Sequence, residues 1–391
     1  MATPRNQLEV NPAQSATLGR MLFIDNVRWT MILLVISMHA ADTYSPLGSW
    51  YFTDRKPIST PVLLTFAAWQ MYLQSFFMGL LFFIAGYFVP ASFDRKGPRK
   101  FLSDRAFRLG LPVLFYMFVL GPITEYFVAH SWTSTLPTSF VNEWIKHIRN
   151  GEFLQENGPL WFCLALLIFA AVYVLLRILR SSDSVVLKPA PGTATLIGFS
   201  LGMASFSFFV RAFRPPTVLN MHLPDFPQYI LLFSAGILAA RHHWIQRFSF
   251  KNAMRWIAIV LPAGFAGWLA LLLYGGALSG HRGYLSGGWH WQNAAFCLWE
   301  SFTCVAISYG LLVLYREKFP GQKRGAKFMS DNAFSVYVFH PPIVILAARM
   351  LTAVSWHPLL KFIALAIIAT AVSFALSELV FRRIPLLRTI L

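Results

Sequence analysis

A histidine and an aspartate three residues apart follow the first apolar stretch of the sequence. In MILLVISMHAAD, residues 31–42, they are His39 and Asp42. On a helix this spacing puts both side chains on one face, where the carboxylate can accept a hydrogen bond from the imidazole and fix its tautomer. A histidine oriented in this way suits general-base catalysis, because the unperturbed pKa of a histidine side chain, about 6.5, lies near neutrality. His39 and Asp42 are therefore candidate catalytic residues.

Arg28 precedes His39 by eleven residues, about 16 Å of helix at 1.5 Å per residue. Asp25 and Arg28 repeat the three-residue spacing at the other end of the same predicted helix. Each of these residues also has a structural reading, in which the arginine snorkels, the aspartate contacts solvent and the histidine bonds to a neighbouring helix. The spacing alone permits both readings.

Two further arginines, Arg105 and Arg108, lie three residues apart where the chain enters a later apolar stretch, in FDRKGPRKFLSDRAFRLGLP, residues 93–112. A planar guanidinium binds phosphate in a bidentate manner, so the pair could hold a phosphate-bearing ligand. The alternative is that these basic residues only orient the helices in a membrane.

A carboxylate, Glu300, lies inside an apolar stretch, in FCLWESFTCVAISYG, residues 296–310. An isolated charge there is costly, so we expect a partner: Arg211, Arg214, His39 or a proton. Glu300 is a third candidate catalytic residue, with a structural ion pair as the alternative.

Composition determines the kind of protein that must position these residues. Of 391 residues, 56% are hydrophobic and 13% are charged, which excludes an ordinary soluble domain. The long unbroken apolar runs predict helices and not a barrel. We therefore predict an all-α fold, a polytopic membrane bundle of about ten transmembrane helices, over residues 22–43, 61–91, 109–129, 159–180, 193–213, 226–240, 256–277, 293–315, 333–353 and 358–381.

The basic residues predict the orientation of this bundle. If the N-terminus is cytoplasmic, 23 Lys and Arg residues fall on inward segments and 7 on outward ones. This asymmetry follows the positive-inside rule, explains most of the formal charge of +17 and argues against a nucleic-acid partner. We expect a cytoplasmic N-terminal segment over residues 1–21, one transmembrane domain over 22–381 and a cytoplasmic C-terminal tail over 382–391.

The outward loop near residues 130–158 has an internal pattern of its own. Phe140, Trp144 and Ile148 recur at helical spacing, which predicts an amphipathic helix on the outer face that could roof a site. The outward tryptophans fit an interfacial aromatic belt or sugar stacking; they are Trp50, Trp132, Trp144, Trp289 and Trp291.

The cysteines indicate neither a disulfide framework nor a metal site. Cys163, Cys297 and Cys304 all fall inside predicted spans without a pairing pattern or a second metal ligand at useful spacing. We interpret them as small apolar packing residues.

Taken together, these motifs resemble the membrane-bound acyltransferase 3 family, which includes glucan-modifying and lipopolysaccharide O-acetylating proteins. The resemblance spans nearly the whole chain and rests on the order and spacing of five features. They are Arg28 and His39 with ten residues between them, FFIAGYF after the second span, the RxxR of Arg105 and Arg108, GPLWF opening the fourth span, and FSVYVFH in the ninth.

The resemblance implies a multi-pass enzyme of the bacterial cytoplasmic (inner) membrane that moves an acetyl or succinyl group from cytoplasmic acyl-CoA to a hydroxyl of an extracytoplasmic carbohydrate or other envelope acceptor. Acyl-CoA is then a co-substrate, and no permanently bound cofactor is expected. His39 corresponds to the essential histidine, and Arg28, Arg105 and Arg108 to the arginines expected to hold the donor.

Further site residues follow from this expected reaction. Tyr337 and His340, which precede Pro341 and Pro342, could donate to the developing oxyanion or, nearer the inner face, line the donor path. Trp161, in the GPLWF motif, and Trp289 are candidate acceptor-binding residues. Membrane lipid is the other expected contact.

Two other functional classes are alternatives. A proton-coupled transporter or flippase could form an alternating-access proton relay from Arg28, His39, Asp42 and Glu300. A non-catalytic membrane partner could organise the synthesis of an envelope polymer. Inverted repeats with matching interrupted helices would favour the transporter, and the two halves of the sequence do not show them.

Overall fold

The computed structural model describes residues 21–48, 50–54, 56–129, 139–154, 157–179, 187–281 and 283–388. Residues 1–20 of the predicted N-terminal segment, Trp132 and the last three residues of the predicted tail lie outside these ranges.

Helices dominate the described residues, and the one small sheet is a two-stranded antiparallel hairpin of β1 (Thr217–Val218) and β2 (Met221–His222). The helices are α1 (Leu22–Tyr44), α2 (Thr60–Arg105), α3 (Leu111–Phe115), α4 (Gly121–Ala129), α5 (Phe140–Arg149), α6 (Trp161–Leu179), α7 (Thr193–Ala212), α8 (Phe226–Arg241), α9 (Trp244–Arg247), α10 (Phe250–Tyr274), α11 (Gly283–Ser286), α12 (Trp291–Lys318), α13 (Arg324–Thr352), α14 (Pro358–Leu379) and α15 (Pro385–Arg388). Two π-helical turns, Ala106–Gly110 and Tyr116–Leu120, flank α3.

Nine continuous stretches of the described residues are long and apolar enough to cross a membrane. One of them, Thr60–Tyr126, has 67 residues. As a straight helix it would be about 100 Å long, far more than the ~30 Å of a bilayer core. It turns at Gly97, whose φ of 71° and ψ of 170° are not helical. This stretch therefore accounts for two predicted spans, and the polytopic helical fold is confirmed.

The centre of the bundle is the packing of α2 against α8, where two glycines let the backbones meet. A Cβ atom on Gly86 would lie 2.1 Å from the carbonyl oxygen of Phe233, and one on Gly236 would lie 2.1 Å from that of Phe83. Any larger side chain at either position would force the helices apart. Gly86, in the FFIAGYF motif, therefore serves close helix approach.

The bundle has two chemically different ends. At one end, the Asn26 amide donates to the carbonyls of Phe319 and Gly321, and Arg241 pairs with Asp94 at 2.6 Å. These residues lie on or beside segments predicted to face inward. At the other end, the segments predicted to face outward gather around one cavity. The amphipathic helix predicted there is confirmed as α5, Phe140–Arg149.

Candidate active site

A cavity of about 720 Å³ lies at the end of the bundle where the predicted outward segments meet. Residues from α1, α2, α6, α7, α8, α12 and α13 line it, together with the connecting segments around Gly48, Gly158, Asn220 and Ser286. Among the residues predicted for the site, those that line it are His39, Asp42, Trp161, Glu300 and Tyr337.

His39 and Asp42 are bonded as their spacing on α1 predicts. The distance from His39 Nδ1 to Asp42 Oδ2 is 3.4 Å, and Gln70 of α2 donates to the other carboxylate oxygen of Asp42 at 2.6 Å. Gly48 crosses directly over this carboxylate, because a Cβ atom there would lie only 1.9 Å from Asp42 Oδ1. Asp42 is thus held from two sides, and the Nε2 atom of His39 remains available to a ligand in the cavity.

Two aromatic rings fix the plane of the His39 ring. Trp50 stacks on it with a centroid distance of 3.7 Å, and His340 lies nearly parallel to it at 5.4 Å. Stacking at these distances restrains the rotation of the imidazole about its side-chain bonds. The predicted base is therefore immobilised by a loop residue and by α13.

The structure corrects the expected depth of His340. His340 is fully buried and its ring lies 5.4 Å from that of His39, so it is not nearer the inner face than the candidate base, and Tyr337 lines the same cavity. The backbone carbonyl of Tyr337 accepts a hydrogen bond from His340 Nδ1 at 2.8 Å, and the Tyr337 hydroxyl donates to the carbonyl of Pro159 in the GPLWF motif. α13 continues through Pro341 and Pro342 as one helix, and the motif places the ring of His340 between those of His39 and Tyr337, at 5.4 and 6.2 Å.

Glu300 has Arg211 as its partner, one of the four possibilities raised by the sequence. Arg211 Nη2 lies 2.9 Å from Glu300 Oε2 and 2.7 Å from Asp225 Oδ1. All three side chains are buried. One guanidinium therefore bridges two carboxylates in the wall of the cavity.

A second His–Asp pair, missed from the sequence, completes this wall. His222 Nδ1 lies 3.0 Å from Asp225 Oδ2, to which Gln74 also donates at 3.4 Å. The hydrogen bond with Asp225 raises the pKa of His222. The sequence contains a signal for this second pair, because MHLPD at residues 221–225 repeats the His–Asp spacing of MHAAD at residues 38–42.

The three arginines expected to hold the donor lie together at the opposite end of the bundle. Arg28 pairs with Asp25 at 3.2 Å, and its guanidinium covers the ring of Phe88 at 4.8 Å. Arg105 lies close enough to Arg28 and Arg108 for their charges to interact. The structure thus brings together three residues from two distant parts of the sequence.

This arginine cluster, Arg28, Arg105 and Arg108, does not line the cavity that holds His39. On α1 the cavity reaches inward to Val35, seven residues or about 10 Å from Arg28. Met31 and Ile32 are buried in this interval. Packed side chains therefore separate the two sites along α1.

The two candidate acceptor-binding tryptophans differ in position. Trp161 lines the cavity and stacks on Tyr229 at 5.7 Å. Trp289 does not line it: its side chain is 64% exposed and contacts the ring edges of Phe209 and Phe213. The structure does not bring Trp289 to the cavity: it lies between α11 and α12 and packs beside the end of α7, where its exposure suits an interfacial residue, whereas Trp50 takes the place beside the base.

The cysteines are buried packing residues, as predicted. Cys163, Cys297 and Cys304 are all free thiols inside the bundle. Within the described ranges, no group of three or more His, Cys, Asp or Glu side chains is arranged to hold a metal ion.

Comparison with known proteins agrees with this architecture. The family model described as an acyltransferase domain, Acyl_transf_3, matches residues 21–378. Similar proteins are the glucans biosynthesis protein C of Salmonella paratyphi B, of Salmonella dublin and of Salmonella enteritidis, each 22% identical over 403 residues that cover 94% of this chain and 94% of the relative. No solved structure matches the chain. Because the family match covers almost the whole bundle, the chain belongs to the acyltransferase 3 family of membrane proteins.

Proposed function

We propose that this protein is an O-acyltransferase that moves an acetyl or succinyl group from acyl-CoA to a hydroxyl group of a carbohydrate, with His39 as general base. The carbohydrate is suggested by the relatives, which are named for glucan biosynthesis. The observation that carries the proposal is the His39–Asp42 pair in a cavity of about 720 Å³ at the end of the bundle opposite the arginine cluster.

The chemistry requires a base for the attacking hydroxyl. His39 Nε2 accepts the hydroxyl proton while the oxygen attacks the thioester carbonyl carbon, and Asp42 stabilises the imidazolium that forms. The C–S bond then breaks, and the proton passes from His39 to the departing thiolate. The products are the acyl ester and free coenzyme A, and no other reactant is needed.

The carboxylate of Glu300 in the cavity wall is suited to binding the acceptor. Glu300 is tied to Arg211 and faces the same cavity as His39, so it can accept a hydrogen bond from a sugar hydroxyl and orient it. The flat face of Trp161 offers an apolar surface for a sugar ring. Glu300 assists the reaction in this scheme, and His39 exchanges the proton.

The arginine cluster suits the phosphates of the donor. Three guanidinium groups gather at the end that the positive-inside rule assigns to the cytoplasm, where acyl-CoA is made. Packed residues lie between this cluster and the cavity, so the pantetheine arm must part them to bring the thioester to His39. Tyr337, which lines the cavity, and His340, which packs beside His39, would flank the end of that arm.

The deciding experiment uses purified protein in lipid nanodiscs with labelled acetyl-CoA or succinyl-CoA and a linear glucan. We expect release of free coenzyme A that depends on the acceptor, together with a matching mass increase of the glucan. A protein that folds normally but releases no coenzyme A with any glucan contradicts the proposal. Cell fractionation of a bacterial host tests the cytoplasmic-membrane location separately.

A further inference from the structure

A second cavity, of about 400 Å³, lies beside the active-site cavity. Tyr51 lines both cavities, and its ring meets Trp50, the residue stacked on His39, edge to face at 5.0 Å. We call this second cavity the outer pocket; the rings of Trp50 and Tyr51 lie between it and the candidate base. Its lining includes Tyr51, Glu125, Tyr126, Trp144, His147 and Glu152.

α5 roofs the outer pocket and is anchored by two side chains that also line it. Trp144 Nε1 donates to the carbonyl of Phe118 at 2.7 Å, and His147 Nε2 lies 3.2 Å from the carbonyl of Met117. Both carbonyls belong to the π-helical turn Tyr116–Leu120, which leads into α4. The amphipathic helix is thus fixed in position over the pocket by specific bonds.

One polar atom inside the outer pocket lacks a hydrogen bond among the residues that the structure describes. His147 is only 3% exposed; its Nε2 atom lies against a carbonyl, and its Nδ1 atom has no hydrogen-bond partner and lies beside two carboxylates that line the pocket. The nearest carboxylates, of Glu125 and Glu152, are 3.6 and 3.8 Å away, beyond ordinary hydrogen-bond length. A hydroxyl group bound between them would satisfy this buried nitrogen.

The rest of the lining fits a sugar unit. Tyr51, Tyr126 and Trp144 supply aromatic surface, while Glu125 and Glu152 supply acceptors for hydroxyl groups. One acidic group has a cationic neighbour, since Lys146 Nζ lies 3.8 Å from Glu143 Oε2, and the imidazole of His147 lies between the other two carboxylates. Aromatic faces combined with partly balanced carboxylates suit a neutral, hydroxyl-rich ligand better than a free cation.

We propose that the outer pocket is a second acceptor subsite, which binds one sugar unit of a carbohydrate chain while a nearby unit presents its hydroxyl to His39. The inference rests on the proposed function and adds that the acceptor is an oligosaccharide or polysaccharide, not a single sugar. It also gives Trp144 a role in sugar stacking, one of the two interpretations that its sequence position allowed.

The test compares glucose with a linear glucose tetrasaccharide as acceptors for labelled acetyl-CoA. We expect the wild-type KM for the tetrasaccharide to be lower by about tenfold or more, as expected for one additional stacked and hydrogen-bonded unit. Trp144→Ala, Glu125→Gln and Glu152→Gln should each raise the tetrasaccharide KM about three- to tenfold and leave the glucose KM unchanged. The two glutamine variants keep the shape of the pocket if loss of Trp144 disturbs α5.

The matched control is Trp291→Ala, which removes a 60% exposed tryptophan at the same end of the bundle that lines neither cavity. Transfer to both acceptors with equal KM values, or variants that change glucose and tetrasaccharide alike, would overturn the subsite. Absence of transfer to any carbohydrate would instead refute the proposed function. Calorimetric titration of the tetrasaccharide without donor still tests the subsite in that case, since the glutamine variants must weaken binding.

Discussion

Gln70 and Gln74 lie one helical turn apart on α2, and each donates to the aspartate of a different His–Asp pair. Gln70 bonds to Asp42 at 2.6 Å and Gln74 to Asp225 at 3.4 Å. Both aspartates line the same cavity. One face of α2 therefore supports two similar pairs, and among the residues that the structure describes only the first pair is stacked under a tryptophan.

We expect the first pair to control the chemical step. His39→Ala should lower kcat at least ~10²-fold, because general-base catalysis contributes about 10²- to 10⁴-fold. Asp42→Asn should also lower kcat strongly, since an amide no longer stabilises the imidazolium. Gln70→Leu should lower kcat more than Gln74→Leu does. Single-turnover rates with membrane-reconstituted protein of equal folded yield provide the measurement, and a His39→Ala variant with wild-type turnover removes this residue from the mechanism.

The Arg211 bridge should matter more for stability than for proton transfer. Arg211→Met leaves Glu300 and Asp225 buried without their shared counter-ion, and breaking a buried ion pair in this way destabilises a protein by about 3–5 kcal/mol. We expect a clearly lower unfolding temperature in detergent, partly restored by adding Glu300→Gln.

The control for this prediction is Arg214→Met. Arg214 is exposed, and its Nη2 atom donates to the backbone carbonyl of Gly287 at 3.3 Å. Its replacement should change the unfolding temperature little. If Arg211→Met and Arg214→Met changed the unfolding temperature equally, the buried Arg211 bridge would not stabilise the fold more than an exposed arginine does.

Local geometry explains which parts of the site were predictable from the sequence. The His39–Asp42 pair was predicted because both residues lie on one helix, where a spacing of three sets the distance. The membrane-spanning segments can likewise be predicted from the sequence, since a bilayer dictates their length and apolarity. The stacking of Trp50 on His39 cannot be predicted in this way, because a loop conformation brings the two rings together.

Tertiary packing decided the remaining partners. The sequence required a counter-ion for Glu300, but only the packing of α12 against α7 selects Arg211 from the candidates. Packing also sets the depth of His340, because its neighbour His39 belongs to a different helix. The spacing shared by His39–Asp42 and His222–Asp225 was visible, although only the fold reveals that both pairs face one cavity.

The arginine cluster should act on donor binding and not on the acceptor. Arg105→Ala and Arg108→Ala should each raise the KM for acetyl-CoA about tenfold, as expected for the loss of a charge-assisted hydrogen bond to phosphate, and should leave the acceptor KM unchanged. Arg255→Ala is the control, since it removes an equal charge from an exposed position on α10. If all three variants have the wild-type donor KM, the cluster serves only to orient the protein in the membrane.

The second pair should make stability depend on pH. The hydrogen bond with Asp225 raises the pKa of His222 in the folded protein, although burial and the charge of Arg211 oppose this effect. A raised folded-state pKa means that the protonated ring stabilises the fold fully below the unfolded-state value of about 6.5, and that this contribution disappears as pH rises through the folded-state value. Unfolding temperatures between about pH 5.5 and 8.5 should therefore fall less steeply with rising pH in His222→Asn than in the wild type, because asparagine can still donate to Asp225 but does not titrate.

His243→Asn, at an exposed site where φ is 53° and asparagine is tolerated, is the control and should keep the wild-type profile. Identical pH profiles for wild type and His222→Asn would show that the bond between His222 and Asp225 contributes nothing to folding.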